Sequence, residues 1–381
     1  MAKKKKIRAA FRKNRAVRTR QKDWTRKYLE QALEDEAPPA CERIGGKGEL
    51  SRRRTICSED VEENQPEAGM RLAVRDEACL RGRVLSVMGL YSQVQAEDGR
   101  IYKCALRRLL KTLDTTERHV VAAGDWVLFR PVAGGSEDEG LIERIEPRHG
   151  CICRTVRRRC QVLVANVDQL AVVSSLAEPR LKPNLIDRLL IAAEKGGVRP
   201  LICINKIDLG DPADLQPLVG VYSQMGYEVL LLSAKTGFGV DRFRRALAGR
   251  ASVVAGQSGV GKSSLLNAVD PEFALRVQPI SEETEKGKHT TSNARLLPLN
   301  CGGYVVDTPG IRQFQPWDVP REETSAYFRD LRPYEPLCRF PNCTHTHEDD
   351  CAVKNAVADG RLDERRYESY CYLLSGNEDE D

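Results

Sequence analysis

The sequence predicts a multidomain protein: a small antiparallel β-barrel, an α/β domain built on a parallel sheet, and a short helical segment that binds metal. Three observations carry this. Between residues 80 and 146, short alternating runs are separated by turn residues. From about 160 to 320, continuous apolar runs alternate with amphipathic stretches. Beyond 323, cysteines and a histidine crowd together between positions 338 and 351. A chain of 381 residues is long enough for several cores.

In front of the barrel, residues 1–78 read as a basic extension and linker. Residues 1–27 hold 13 of the 60 Lys/Arg but only one acid, Asp23, so the rest of a chain of net charge +5 is acidic. Such a block attracts polyanions by releasing their counterions, which favours nucleic acid over an acidic membrane. Its first part suits a basic helix running on through Trp24, Tyr28, Leu29 and Leu33. The stretch 34–69, with Pro38-Pro39 and Gly45-Gly46, reads as a linker. No apolar run approaches the length of a membrane span. Behind Met1-Ala2-Lys3-Lys4 there is no apolar signal segment. Thirteen scattered cysteines, an odd number, argue for a reducing, cytoplasmic setting rather than a disulfide framework.

The barrel region, 79–150, contains five strand patterns: 83–87, 91–95, 101–104, 125–129 and 140–145. So short a sheet hides its edges best by closing, and an OB-fold is the leading candidate. Leu106-Arg107-Arg108-Leu109-Leu110-Lys111 adds cations suited to phosphate.

Within 151–322, apolar runs at 170–173, 201–204, 229–232, 252–255 and 303–306 read as strands buried on both faces. Gly256-Gln257-Ser258-Gly259-Val260-Gly261-Lys262-Ser263, followed by Ser264, fits GxxxxGK[ST] between a strand and a helix. Glycines let the backbone wrap a phosphate chain, Lys262 supplies a cation for its β- and γ-phosphates, and Ser263 offers a hydroxyl to Mg²⁺. The base is chosen elsewhere. Asn205-Lys206-Ile207-Asp208 follows the strand 201–204. The Asp208 carboxylate can accept hydrogen bonds from the N1–H and 2-amino group of guanine. Adenine would leave it unpaired. The stem of Lys206 can cover the base. Ser233-Ala234-Lys235, after a third strand, would bring a backbone N–H to the guanine O6.

Asp307-Thr308-Pro309-Gly310 ends the set: Asp307 for Mg²⁺ through water, the Gly310 N–H for the γ-phosphate. Gly287-Lys288-His289-Thr290-Thr291 precedes it, and a threonine there could bind Mg²⁺ and close over GTP. The spacing does not choose between Thr290 and Thr291. In ordinary GTPases the phosphate loop comes first and NKxD late. Here the order is rotated, as though the chain had been cut and rejoined.

Residues 323–381 hold Cys338, Cys343, His345 and Cys351, a C-x₄-C-x-H-x₅-C set that makes a closed tetrahedral Zn²⁺ site. His347 competes as a ligand. Asp349 and Asp350 are placed to cap a following helix, and Cys301 and Cys371 read as buried thiols.

These motifs, over about residues 79–374, resemble the RsgA (YjeQ) family of circularly permuted GTPases. The resemblance implies an N-terminal OB-fold β-barrel, a permuted P-loop GTPase domain and a C-terminal helical zinc-binding domain. It implies GTP/GDP, Mg²⁺ and one structural Zn²⁺. It also implies binding to the 30S ribosomal subunit and its 16S rRNA late in maturation, with GTP hydrolysis stimulated there. A monomer with no membrane partner is expected. The extension 1–78 departs from the family pattern. Ile311 stands where Ras-like enzymes carry a water-orienting glutamine, so another group must serve. His289 is the candidate catalytic residue, because the family has a histidine there. RNA contact and packing against the barrel are its alternatives. A plain RNA-binding module with a vestigial nucleotide site is the competing function, as is a permuted GTPase serving another ribonucleoprotein particle.

Overall fold

The computed structural model describes residues 4–10, 53–59, 79–107, 110, 120–132, 138–156, 159–273, 294–307 and 323–375. The chain divides into two compact units. The first comprises residues 1–149, 156–166 and 293–296; the second comprises 150–155, 167–292 and 297–381.

In the first unit, β1 (Lys4–Ala10) pairs antiparallel with β2 (Arg53–Glu59), with Ile7 opposite Ile56 and Lys4 opposite Glu59. This corrects the helix expected over the start of the basic arm. A helix would stack like charges at i,i+4, as at Lys4 and Arg8. A strand instead gains a backbone ladder from a distant segment. The remainder of that expected helix lies outside the described residues.

Five strands follow: β3 (Leu80–Met88), β4 (Tyr91–Ala96), β5 (Ile101–Leu106), β6 (Trp126–Pro131) and β7 (Glu139–Ile145). They run β3-β4-β5-β7-β6 and close through a β6–β3 pairing. Only β5–β7 is parallel among the five pairings. This is an OB-like barrel. Closure explains Gly82, which pairs with both Ala96 and Val127. A Cβ there would sit 2.6 Å from Val94 Cγ1 and 2.8 Å from the Gln95 carbonyl oxygen, so only glycine lets the strand coil through the seam. Inside, Val84, Val94, Tyr102, Phe129 and Ile142 form the core, with the Tyr102 and Phe129 rings 5.0 Å apart. Arg107, read as a phosphate cation, pairs with Glu143 at 3.2 Å.

Strands β8 (Cys151–Val156) and β9 (Arg159–Ala165) fall at the boundary along the chain, and β14 (Arg295–Pro298) spans a second boundary. The second unit is built on β10 (Gln169–Ser175), β11 (Arg199–Asn205), β12 (Glu228–Leu231), β13 (Arg250–Ala255) and β15 (Gly303–Asp307). Their order is β12-β11-β10-β13-β15, every pairing parallel. Helices α1 (Pro183–Lys195), α2 (Gln216–Gln224), α3 (Val240–Leu247) and α4 (Lys262–Val269) connect them. Parallel strands buried under helices explain the unbroken apolar runs, and β10 is buried at all seven positions.

Two further helices, α5 (Ala352–Ala358) and α6 (Glu364–Ser375), close the chain. They share a core with α1 through Ile191, Phe328, Val353 and Tyr370. A buried ion-pair network fastens them there. Arg366 meets Asp187 of α1 at 2.5 Å and Asp330 at 2.9 Å, and the Tyr222 hydroxyl donates to Asp187 at 2.7 Å. Asp349 and Asp350 do not cap α5. Its N-cap is Cys351 with no side-chain bond, and Asp350 pairs with Arg339 at 3.0 Å instead. Cys301 and Cys371 are half-buried rather than buried.

Candidate functional site

In a parallel sheet every strand ends on the same side, so loops far apart in sequence converge there. Asn205 ends β11, Ser233 lies just beyond β12, Gly256 follows β13, and Asp307 ends β15. The phosphate loop takes the backbone its glycines permit, with φ of 149° at Gly256, 83° at Gly259 and 91° at Gly261. Helix α4 begins at Lys262. The Lys262 ammonium donates to the carbonyls of Gly256 at 2.8 Å and Gln257 at 2.7 Å, which draws the loop into a closed ring.

Asn205 braces three loops. Its Nδ2 donates to the Val260 carbonyl at 2.8 Å, and its Oδ1 accepts from the Ala234 N–H at 3.2 Å. The fit leaves no room for a side chain at Gly261, whose Cβ would lie 2.4 Å from Asn205 Nδ2. Ser233 Oγ donates to Asp208 Oδ1 at 2.6 Å and accepts from the Thr236 N–H at 3.1 Å. That hydroxyl holds the exposed Asp208 carboxyl below its usual range, so Asp208 is an anion throughout neutral pH.

A pocket of about 270 Å³ opens among these groups, lined by Asn205, Lys206, Asp208, Ala234, Lys235 and Gly261, with Leu209 and Ser264 beside them. The expected base-reading residues thus share one cleft with Gly261 and Ser264 of the phosphate loop and helix start. An anionic acceptor at one end and the start of helix α4, at Gly261 and Ser264, at the other suit a guanine base joined to a phosphate chain. Gln257, Ser258 and Ser263 belong to the same loop and helix start. His289, Thr290, Thr291 and Gly310 lie outside the described residues, as does the Asp307 side chain. Sequence reasoning missed Leu209 and the Ser233–Asp208 bond. The serine of the Ser-Ala-Lys motif was the one available signal.

The cysteine–histidine group is the second constellation. The ligand atoms of Cys338, Cys343, His345 and Cys351 all lie within 4.8 Å of one another. Cys338 Sγ is 3.9 Å from Cys351 Sγ, and His345 Nδ1 is 3.5 and 3.4 Å from those two sulfurs. Tetrahedral bonds of about 2.3 Å to sulfur and about 2.0 Å to nitrogen would place sulfurs about 3.8 Å apart and nitrogen about 3.5 Å from sulfur. The donors therefore fit a zinc ion. Burial pushes the Cys343 thiol up to about 12 and holds His345 below its usual value, leaving the neutral, ligating ring. His347 is exposed beside Glu348 and stays out of the group. Tyr367 and Tyr370 donate to the carbonyls of His345 (2.7 Å) and Thr344 (2.8 Å), fixing the loop that carries the ligands.

A family model described as "RsgA GTPase" matches residues 145–317. The chain is 40% identical over 299 residues to the small ribosomal subunit biogenesis GTPase RsgA of Sodalis glossinidius, covering 76% of this chain and 83% of that one. With the protein of that name from Yersinia enterocolitica it shares 38% over 307 residues, covering 78% and 85%. Among solved structures, YjeQ from Thermotoga maritima superposes with a TM-score of 0.64 at 35% identity, covering 78% of this chain and 98% of its own. YloQ, described as a circularly permuted GTPase, gives 0.62 at 28%, covering 80% and 96%.

Proposed function

The chain belongs to the RsgA GTPase family and is a GTP hydrolase, and from that premise we propose that it serves biogenesis of the small ribosomal subunit. In this reading it binds the 30S subunit through 16S rRNA late in maturation and leaves when GTP is hydrolysed. It works in the cytoplasm as a monomer, and no helix among the described residues is long and apolar enough to cross a membrane. The relatives carry this role in their names. The observation in this chain that supports its nucleotide-dependent half is the cleft that joins Asp208 to Gly261 and Ser264.

The roles follow from the chemistry of each group. Asp208 accepts from the guanine edge, Lys206 covers the ring, and the 233–235 loop turns an N–H toward O6. Gly256 through Ser264 cradle the phosphates. Ser263, Asp307 and one of Thr290 or Thr291 would hold Mg²⁺, which when bound would supply positive charge beside the phosphate oxygens. The Gly310 N–H senses the γ-phosphate. His289 orients the attacking water, since Ile311 cannot. Cys338, Cys343, His345 and Cys351 hold a structural Zn²⁺. The working parts are then an extension (1–78), an OB-fold (79–150), the permuted GTPase (151–322) and the zinc-binding helical segment (323–381).

The test is GTP turnover with and without purified 30S subunits. Strong stimulation by 30S but not 50S is the expected result. No stimulation by either would remove the ribosomal role. Deleting residues 1–27 is expected to weaken 30S binding and flatten its salt dependence, because fewer counterions are then released. An unchanged salt slope in a sedimentation assay would remove the arm from the interface.

A further inference from the structure

Lys206 lines the base pocket, and its ammonium is already engaged: it donates to the carbonyl of Glu178. Glu178 belongs to the loop 176–182 between β10 and α1, which carries no recognisable motif. Two bonds fasten that loop. Ser175, only 1% exposed, donates its Oγ to the Pro179 carbonyl at 2.6 Å. The Leu176 N–H donates to the carbonyl of Asn205 at 3.0 Å. The two residues that meet are both held in the left-handed region, Glu178 at φ 53° and Lys206 at φ 59°. Backbone of that kind is costly without glycine and persists where its surroundings over-determine it.

A free lysine would have to be ordered each time a base arrived, and that ordering weakens binding. We infer that Ser175 is a positioning residue for nucleotide binding: it fastens the 176–182 loop so that the Glu178 carbonyl pins Lys206 with its methylene stem preset against the base. This rests on the base pocket proposed above. The stem is apolar and covers a purine face whatever its substituents. Ser175 therefore governs affinity for the base, whereas Asp208 governs which base is chosen.

The experiment is calorimetry of GDP, IDP and ADP with the full-length chain. Ser175→Cys is nearly isosteric but a weak donor, and Ser175→Thr keeps the hydroxyl. Ser175→Cys is expected to weaken GDP and IDP by one common factor of about threefold to tenfold, as for one lost hydrogen bond. Ser175→Thr restores binding. In a Lys206→Ala background the Ser175→Cys effect vanishes. A role in stability alone would lower the melting midpoint and leave these affinities where they were. Should Ser175→Cys fail to fold, Ser175→Ala removes the same hydroxyl without adding volume and is expected to give the same common loss. Unchanged GDP affinity in the folded variant, a changed GDP-to-IDP ratio, or a loss that persists without Lys206 would overturn the inference while leaving the pocket intact. A wild-type chain that held ADP as tightly as GDP would overturn the pocket itself.

Discussion

The base pocket and the Cys/His group are both small polar constellations within one compact unit, and they are held in opposite ways. In the pocket, protein braces protein: Asn205 ties Val260 to Ala234, Ser233 ties Asp208, and Glu178 ties Lys206. In the Cys/His group the donors face one another, with Nδ1 and sulfurs 3.4 to 3.9 Å apart. A site that recognises by hydrogen bonds can be completed by the fold alone. A site of thiols needs its ion, because only a bound cation turns four converging donors into bonds that hold one another.

The largest effect should come from Lys262→Ala. If the pocket is built by its own bracing, turnover falls by more than about a thousandfold while the chain stays folded. Surviving turnover would mean the chemistry lies elsewhere, and collapse of the fold would mean the pocket is not self-supporting. Next is Asp208→Asn, expected to weaken GDP about a hundredfold and to favour xanthosine diphosphate, whose 2-oxo group matches an amide donor. An unchanged base preference in a competition assay would break the assignment.

Chelation, or Cys351→Ser, sharpens the other side of the comparison. The melting midpoint should drop by about 10 °C, as loss of several kcal/mol would give in a unit of this size. GDP affinity should barely move. A chain that melts identically with and without chelator would make the Cys/His group four free side chains. The smallest effect is on pH. The Ser233 hydroxyl lowers the Asp208 pKa, so guanine binding is full at neutral pH and is lost only as pH falls through that lowered value. Ser233→Ala raises the Asp208 pKa, and the acid limb of GDP binding should move to higher pH. An unmoved limb would show that the bond does not tune Asp208.

Most of the candidate nucleotide site is legible because its parts are short and local. A phosphate loop needs glycines and a lysine within eight positions, and their strand-to-helix setting shows in a run of apolar residues. The barrel was legible from period-two alternation, and its strands lie where the pattern put them. The arm at residues 4–10 was misread, since a basic run says nothing of the segment 53–59 that pairs with it. Asp349 and Asp350 had the right type for a cap, but Asp350 is drawn to Arg339. Nothing in the loop 176–182 marks Glu178, because its backbone carbonyl, not its side chain, does the holding.

By itself the sequence determined which chemistry this chain offers: a candidate anion cradle, a carboxylate able to accept from guanine and a soft four-donor set are properties of residue type and near spacing. Only the tertiary structure decided how those groups are braced. Asn205 and Val260 are 55 positions apart, and Lys206 and Glu178 are 28. Such bonds depend on the strand order β12-β11-β10-β13-β15, which brings distant loops to one edge and which no local periodicity encodes.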